Sequence, residues 1–168
     1  VSCLTYNHKN YIRKSLEGFL AQETTFPVEI LINDDASTDG TQEILREYSL
    51  KYPDLIKPIY QTTNKFSKGI SVLNYNLTRS LGHFTAFCHG DDYWLNPEKL
   101  EKQIEAMLYY DVSISGHSSY VIQESGEHLN QKSGKVVSLV TWFSACSLIL
   151  QQGNMIPYSS IMIDIIAK

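Results

Sequence analysis

Val28-Glu29-Ile30-Leu31-Ile32-Asn33-Asp34-Asp35-Ala36-Ser37-Thr38-Asp39-Gly40-Thr41 is the stretch that decides how this chain folds. A short apolar run ends in an acidic pair. Turn-forming residues follow, and then a helical pattern with Ile44, Tyr48 and Tyr52 in line. The same order recurs downstream, where Phe84-Thr85-Ala86-Phe87-Cys88 leads through His89-Gly90 to Asp91-Asp92. In an open α/β sheet, ligands bind at the carboxyl ends of the strands. Two acidic pairs at such ends can meet in one crevice. Four carboxylates there repel one another unless a cation or hydrogen-bond donors share the space. The expected ligand is therefore a divalent metal with a partner rich in hydroxyls or phosphates.

Working outward, apolar and polar positions alternate in blocks that read as strand and helix by turns. A strand over 2–5 precedes a helix over 11–22, whose Ile12, Leu16, Phe19 and Leu20 share one face. The strand over 28–32 and the helix over 40–52 follow, then a strand over 56–60. A helix is predicted over 69–81 from the alignment of Ile70, Leu73, Leu77 and Leu81, and a strand over 84–89. Asn96-Pro97 starts the next helix, since Asn caps well and Pro suits the first helical position. Leu100, Ile104, Met107 and Leu108 form its buried stripe. Such regular alternation predicts an α/β fold with a mainly parallel sheet flanked by helices. The rest is less regular: a half-exposed strand over 112–122, a turn or mobile loop over 123–135, a helix over 138–152 and a strand over 159–166.

The 168 residues suffice for one domain with a real core. With 43% hydrophobic and 19% charged residues, a folded globule is expected. The net charge of -4 argues against a nucleic-acid partner, which calls for a basic face. Cys3, Cys88 and Cys146 have neither metal spacing nor a disulfide framework, so they read as buried thiols in a reducing cytoplasm. No apolar stretch approaches the ~20 residues that cross a bilayer. Both ends fall inside apolar runs, which reads as a piece of a longer protein.

Each candidate site has a plainer reading. Ser37, Thr38 and Asp39 are explained as turn and cap residues, whose short side chains bond nearby amides. Asp34 and Asp35 are not, because adjacent carboxylates gain nothing from each other. Gly90 permits a tight path or a close approach to a ligand. Tyr6, after the first strand, either packs on the sheet or stacks on a base, with Asn7 free to bond base or sugar. His8 and His89 lie next to the pocket, whereas His83, His117 and His128 read as surface or packing residues. Asn76-Leu77-Thr78 matches a glycosylation pattern but falls in a predicted helix and carries no weight.

Thr5-Tyr6-Asn7, Asp34-Asp35-Ala36-Ser37-Thr38-Asp39-Gly40-Thr41 and Gly90-Asp91-Asp92 come in an order and at distances that resemble the family 2 glycosyltransferases, an inverting group with the GT-A fold. Asn64 to Asn74, with Lys68-Gly69, and Leu81-Gly82 resemble further family segments. The resemblance covers residues 1–110 well and is diffuse beyond. It implies a nucleotide-binding half over 1–110 and the start of an acceptor half over 111–168. It also implies a nucleotide-diphosphate sugar donor, often a UDP-sugar, and a glycan or lipid-linked acceptor met near the inner membrane face. By the same resemblance Tyr6 lines the base, Thr5 and Asn7 shape its pocket, and Asp35 contacts the base while Asp34 orients the loop. Asp91 takes the ribose or sugar side, and Asp92 coordinates Mg²⁺ or Mn²⁺ on the diphosphate. Lys68 adds a positive charge near the phosphates, or is a solvated surface lysine.

Inversion requires a carboxylate to take the acceptor proton. Glu98, Glu101, Glu105, Asp111, Glu124, Glu127 and Asp164 match no motif, so the base is expected outside this chain. Tyr93, Trp94 and Trp142 are candidates for an acceptor surface, with core packing the safer reading for at least one. A nucleotide-sugar-binding module without catalysis is the alternative, marked by UDP affinity without turnover. A phosphotransfer receiver fits less well, because a second full acidic pair occupies its later site. A nucleotidyltransferase lacks its glycine-rich basic loop.

Overall fold

The computed structural model describes residues 1–122, 128–133 and 157–165, the 128–133 segment by its backbone. Eight strands and four helices occur in this span: β1 Ser2–Thr5, α1 Ile12–Leu20, β2 Ile30–Asp34, α2 Thr41–Lys51, β3 Ile56–Tyr60, α3 Asn74–Leu77, β4 Phe84–His89, α4 Lys99–Tyr110, β5 Ile114–Ser115, β6 Ser119–Ile122, β7 His128–Ser133 and β8 Met162–Asp164. The main sheet runs β3-β2-β1-β4-β8-β5, and β6-β7 form a separate antiparallel pair. β3, β2, β1 and β4 are mutually parallel, while β8 runs antiparallel to β4 and β5. The sheet is thus mainly parallel, as the alternation predicts.

Parallel strands covered on both faces are buried throughout. Every residue of β2 is buried, and Ile12, Leu16 and Phe19 of α1 join Ile30, Ile32, Leu45 and Met107 in one core. The register places Thr5 beside Asp34 and Leu4 beside His89. β2, β1 and β4 therefore end level, and the loops after them share one edge of the sheet.

Four elements differ from expectation, one being the strand predicted over 159–166, which opens with a 3-10 turn at Tyr158–Ser160 and is a strand only in β8. The helix predicted over 69–81 is a single turn, α3, preceded by a 3-10 turn at Phe66–Lys68. Gly69 has a left-handed φ of 72°, and Ile70 and Leu81 point outward, so their alignment is no buried stripe. Asn76 is wholly buried and donates to Ser2 Oγ and to the carbonyls of Cys3 and Leu31, pinning this turn across β1 and β2. The strand predicted over 112–122 breaks at Gly116–Ser118 into β5 and β6, which join different sheets. The loop predicted over 123–135 contains β7. The helix predicted over 138–152, with Trp142 and Cys146, lies outside the described residues.

Candidate functional site

The two loops that follow β1 and β2 are laced together. Asn7 N–H donates to Ser37 Oγ, Thr38 N–H to Asn7 Oδ1, His8 N–H to Thr41 Oγ1 and Lys9 N–H to Asp39, all at 2.8–2.9 Å. Asp39 also accepts from the backbone and hydroxyl of Thr41, capping the start of α2. Asn7, Ser37, Thr38 and Asp39 thereby set the shape of the site, and Asn7 holds a left-handed φ of 54° to do so.

This edge of the sheet carries a cleft of about 770 Å³, lined by Thr5, Tyr6, His8, Asn33, Asp35, Asn64, Phe66, Ile70, His89, Asp91 and Tyr158 among others. Tyr6 is 43% exposed and Phe66 is 75% exposed, an apolar rim offered to solvent. Thr5 Oγ1, His8 Nδ1, Asn33 Nδ2 and the Tyr158 hydroxyl are buried polar atoms without a partner among the described residues. Buried polar atoms are paired in the great majority of cases, so four orphans among the lining residues of one cleft set this region apart.

The four carboxylates do not gather as the sequence suggests. Neighbouring residues at a strand end point to opposite faces. Asp34 turns inward, wholly buried, and accepts from Ser37 N–H at 3.0 Å and Gln42 Nε2 at 2.6 Å. Asp35 lines the cleft, and its two oxygens accept the amides of Lys65 and Phe66 at 2.8 and 2.9 Å. Of the four, Asp35 and Asp91 line this cleft, and Asp91 and Asp92 line a second cavity.

β4 positions the second pair. Gly90 N–H donates to Leu4 O, and a Cβ on Gly90 would sit 2.6 Å from Thr5 Oγ1 and 2.9 Å from His8 Nδ1. Glycine is required because β1 passes so close. Ser15 of α1, itself buried, hydrogen-bonds the carbonyls of Gly90 and Asp92 and fastens the loop from below. Both acids stay exposed. One ligand atom each of His89, Asp91 and Asp92 lie within 4.8 Å of one another. His8 Nε2 stands 3.7 Å from Asp91. Burial lowers the pKa of His89, which favours the neutral imidazole that a metal needs. A nitrogen with two carboxylates fits a divalent cation.

The second cavity, about 450 Å³, meets the cleft at Asp91 and includes Asp92, Trp94, Lys99, Gln103, His117, Tyr120 and Ser159 in its lining. Trp94 is 7% exposed, stacks edge-on against Phe19 at 4.9 Å and donates its indole N–H to Ser159 O, so it is a core residue. Burial pushes Lys99 down to about 7, with its ammonium 4.0 Å from the Trp94 ring centre and 2.5 Å from Gln103 Oε1.

The structure brings Thr5, Tyr6, Asp35 and Asp91 to the cleft and sets Asp92 at its junction with the second cavity. Asn7 and Lys68 stand outside the lining. Lys68 is exposed on the 3-10 turn. Sequence reasoning missed Asn33, which falls just beyond the strand predicted over 28–32, and Tyr158 and Ser159. A polar residue closing an otherwise apolar run was a signal for Asn33. The later pair carried no signal.

Residues 3–162 match the family model described as Glycosyl transferase family 2, and the chain belongs to that family. An uncharacterized protein of Mycobacterium tuberculosis is 43% identical over 126 residues, which is 73% of this chain and 35% of the relative. The putative teichuronic acid biosynthesis glycosyltransferase TuaG of Bacillus subtilis is 34% identical, over 78% of this chain and 51% of its own. Among solved structures, TarS of S. aureus in complex with UDP-GlcNAc is 30% identical with a TM-score of 0.56, covering 67% of this chain and 32% of TarS. The chain spans between about a third and a half of the length of these relatives. No helix among the described residues is long and apolar enough to cross a membrane.

Proposed function

We propose that this chain carries the donor site of an inverting glycosyltransferase that moves a sugar from a nucleotide-diphosphate sugar, with UDP favoured, to a glycan or lipid-linked acceptor. The observation that carries this reading is the ring of orphaned polar atoms on Thr5, His8, Asn33 and Tyr158 beside the exposed ring of Tyr6. A nucleotide answers both features, with a base that stacks on an aromatic face and hydroxyls that pair with stranded polar atoms. The UDP-GlcNAc bound by TarS supports the same ligand class. The acceptor is a cell-envelope polysaccharide or lipid-linked glycan met at the inner membrane face, a reading supported by the pathway in the name of TuaG.

Tyr6 stacks on the base, Thr5 and Asn7 shape its pocket, and Asp35 contacts it from the floor while bracing the 65–66 backbone. Asp91 takes the ribose or sugar side, and Lys68 brings a cation to the phosphate rim. His89, Asp91 and Asp92 would hold Mn²⁺ or Mg²⁺, which supplies positive charge to the leaving diphosphate. The acceptor enters through the second cavity. Its hydroxyl oxygen bonds to the anomeric carbon as the bond to the diphosphate oxygen breaks, and its proton passes to a carboxylate base. Among the described residues, the two cavities receive carboxylates from Asp35, Asp91 and Asp92, all of which have donor-side roles. The base in this reading lies outside the described residues.

Saturation-transfer NMR of UDP-GlcNAc tests the donor site. The expected result is strong transfer to the uracil protons and at least a tenfold affinity loss in Tyr6→Ala. Binding no stronger than that of free N-acetylglucosamine would contradict the reading.

A further inference from the structure

A late turn of the chain returns to the second acidic pair. Tyr158–Ser160 forms a 3-10 turn just before β8, 67 positions beyond Asp92 where Ser159 is concerned. Its placement is fixed from outside by two side chains. Trp94 Nε1 donates to Ser159 O at 2.9 Å, and Gln103 Nε2 donates to Ser160 O at 2.9 Å. Gln103 is held in turn by Lys99, and Ser160 Oγ closes the turn onto Pro157 O at 2.6 Å. Ser159 is 8% exposed and Ser160 wholly buried, so the turn belongs to the core.

Two side chains of this turn, those of Tyr158 and Ser159, meet the candidate metal cluster. Ser159 Oγ accepts the backbone N–H of His89 at 3.1 Å and donates its own proton to Asp92 Oδ2. Tyr158 stacks on the His89 ring, with centroids 4.2 Å apart and planes 20° from parallel. One hydroxyl thus ties together two of the three ligand-bearing residues, and the neighbouring ring fixes the plane of the imidazole.

We infer that Ser159 is a positioning residue of the metal centre, its hydroxyl fixing the rotamer of Asp92 while Tyr158 fixes His89. The inference rests on the reading of His89, Asp91 and Asp92 as metal holders. With Oδ2 of Asp92 engaged by Ser159, the other carboxylate oxygen is left to face a cation, and the two ligand residues keep a set separation. Partners of this kind cost about tenfold to a hundredfold in metal affinity when removed.

The test is Mn²⁺ titration followed by the EPR signal of free Mn²⁺, with UDP present, on the wild-type protein and three variants. Ser159→Ala is expected to weaken Mn²⁺ at least tenfold while remaining folded at the temperature of the titration, as checked by its circular dichroism. Ser159→Thr, which keeps the hydroxyl, is expected to stay within about threefold of wild type. Asp92→Asn is the reference for losing a ligand. Wild-type affinity in Ser159→Ala beside a loss in Asp92→Asn overturns the inference and leaves the metal reading standing. Weakening in Ser159→Ala that Ser159→Thr does not restore overturns it too, because the hydroxyl is then not responsible. No Mn²⁺ binding by the wild type, with Asp92→Asn indistinguishable, overturns both readings.

Discussion

Asp34-Asp35 and Asp91-Asp92 are the same dipeptide after parallel strands of one sheet, and the fold puts them to opposite uses. The first pair is buried, and three of its four oxygens accept hydrogen bonds from neighbouring backbone amides or Gln42. The second pair is exposed at the junction of two cavities, with His89 alongside. The contrast follows from the donors that the fold brings to each pair. Ser37, Gln42, Lys65 and Phe66 bring donors to the first pair, whereas Gly90 brings none and draws its loop tight against β1. A carboxylate surrounded by donors organises a loop, whereas Asp91 and Asp92 keep oxygen surface facing a cavity.

Substitutions should separate the two uses, with the largest effect on stability at the first pair. Asp34→Ala strands the Ser37 amide in the core and is expected to cost about 3 kcal/mol in urea unfolding. A loss below about 1 kcal/mol would mean that the first pair is no scaffold. Next comes Gly90→Ala, where the new methyl meets Thr5 and His8 and should cost about 2 kcal/mol. It should also weaken nucleotide binding, since the clash displaces two lining residues. An unchanged affinity would show that β1 and the second loop move independently.

A smaller effect is expected from pH. Burial lowers Lys99 from 10.5 to about 7, so between these values the unfolded chain holds a proton the folded one has released. Stability therefore rises with pH from 7, by about 1.4 kcal/mol per unit at most. Above pH 9 Cys88 offsets this rise, because burial keeps its thiol protonated up to about 12 while the unfolded thiol ionises, and stability falls once the unfolded lysine also loses its proton near 10.5. The Val1 amino group, lowered by burial from 8.0 to about 6, adds to the rise below pH 8, so Lys99→Met should abolish the rise between pH 8 and 9. A rise that persists in the variant would trace to another group. The smallest change in stability, within about 0.5 kcal/mol, is expected of Asp92→Asn at the exposed pair.

The first four strands were legible because each is a compact apolar run bounded by turn residues, and both pairs stood out as charge at strand ends. The division of labour between the pairs was not legible. It depends on Lys65 and Phe66 folding back onto Asp35, 30 and 31 positions away. The segment over 69–81 was misread because its apolar spacing suits a helix, while the structure spends Asn76 and Arg79 on holding β1, β2 and β3 together. Tyr158 and Ser159 were invisible for a related reason: only the pairing of β8 with β4 brings their turn to the second pair.

The most direct test is calorimetric titration of UDP, with and without Mn²⁺, into the wild-type protein and Asp92→Asn in parallel. Binding that tightens with Mn²⁺ in the wild type and loses that gain in the variant, at unchanged stability, is the predicted result. Equal UDP affinity in both proteins, or none in either, would contradict the claim that the second pair is presented for a metal-bound nucleotide.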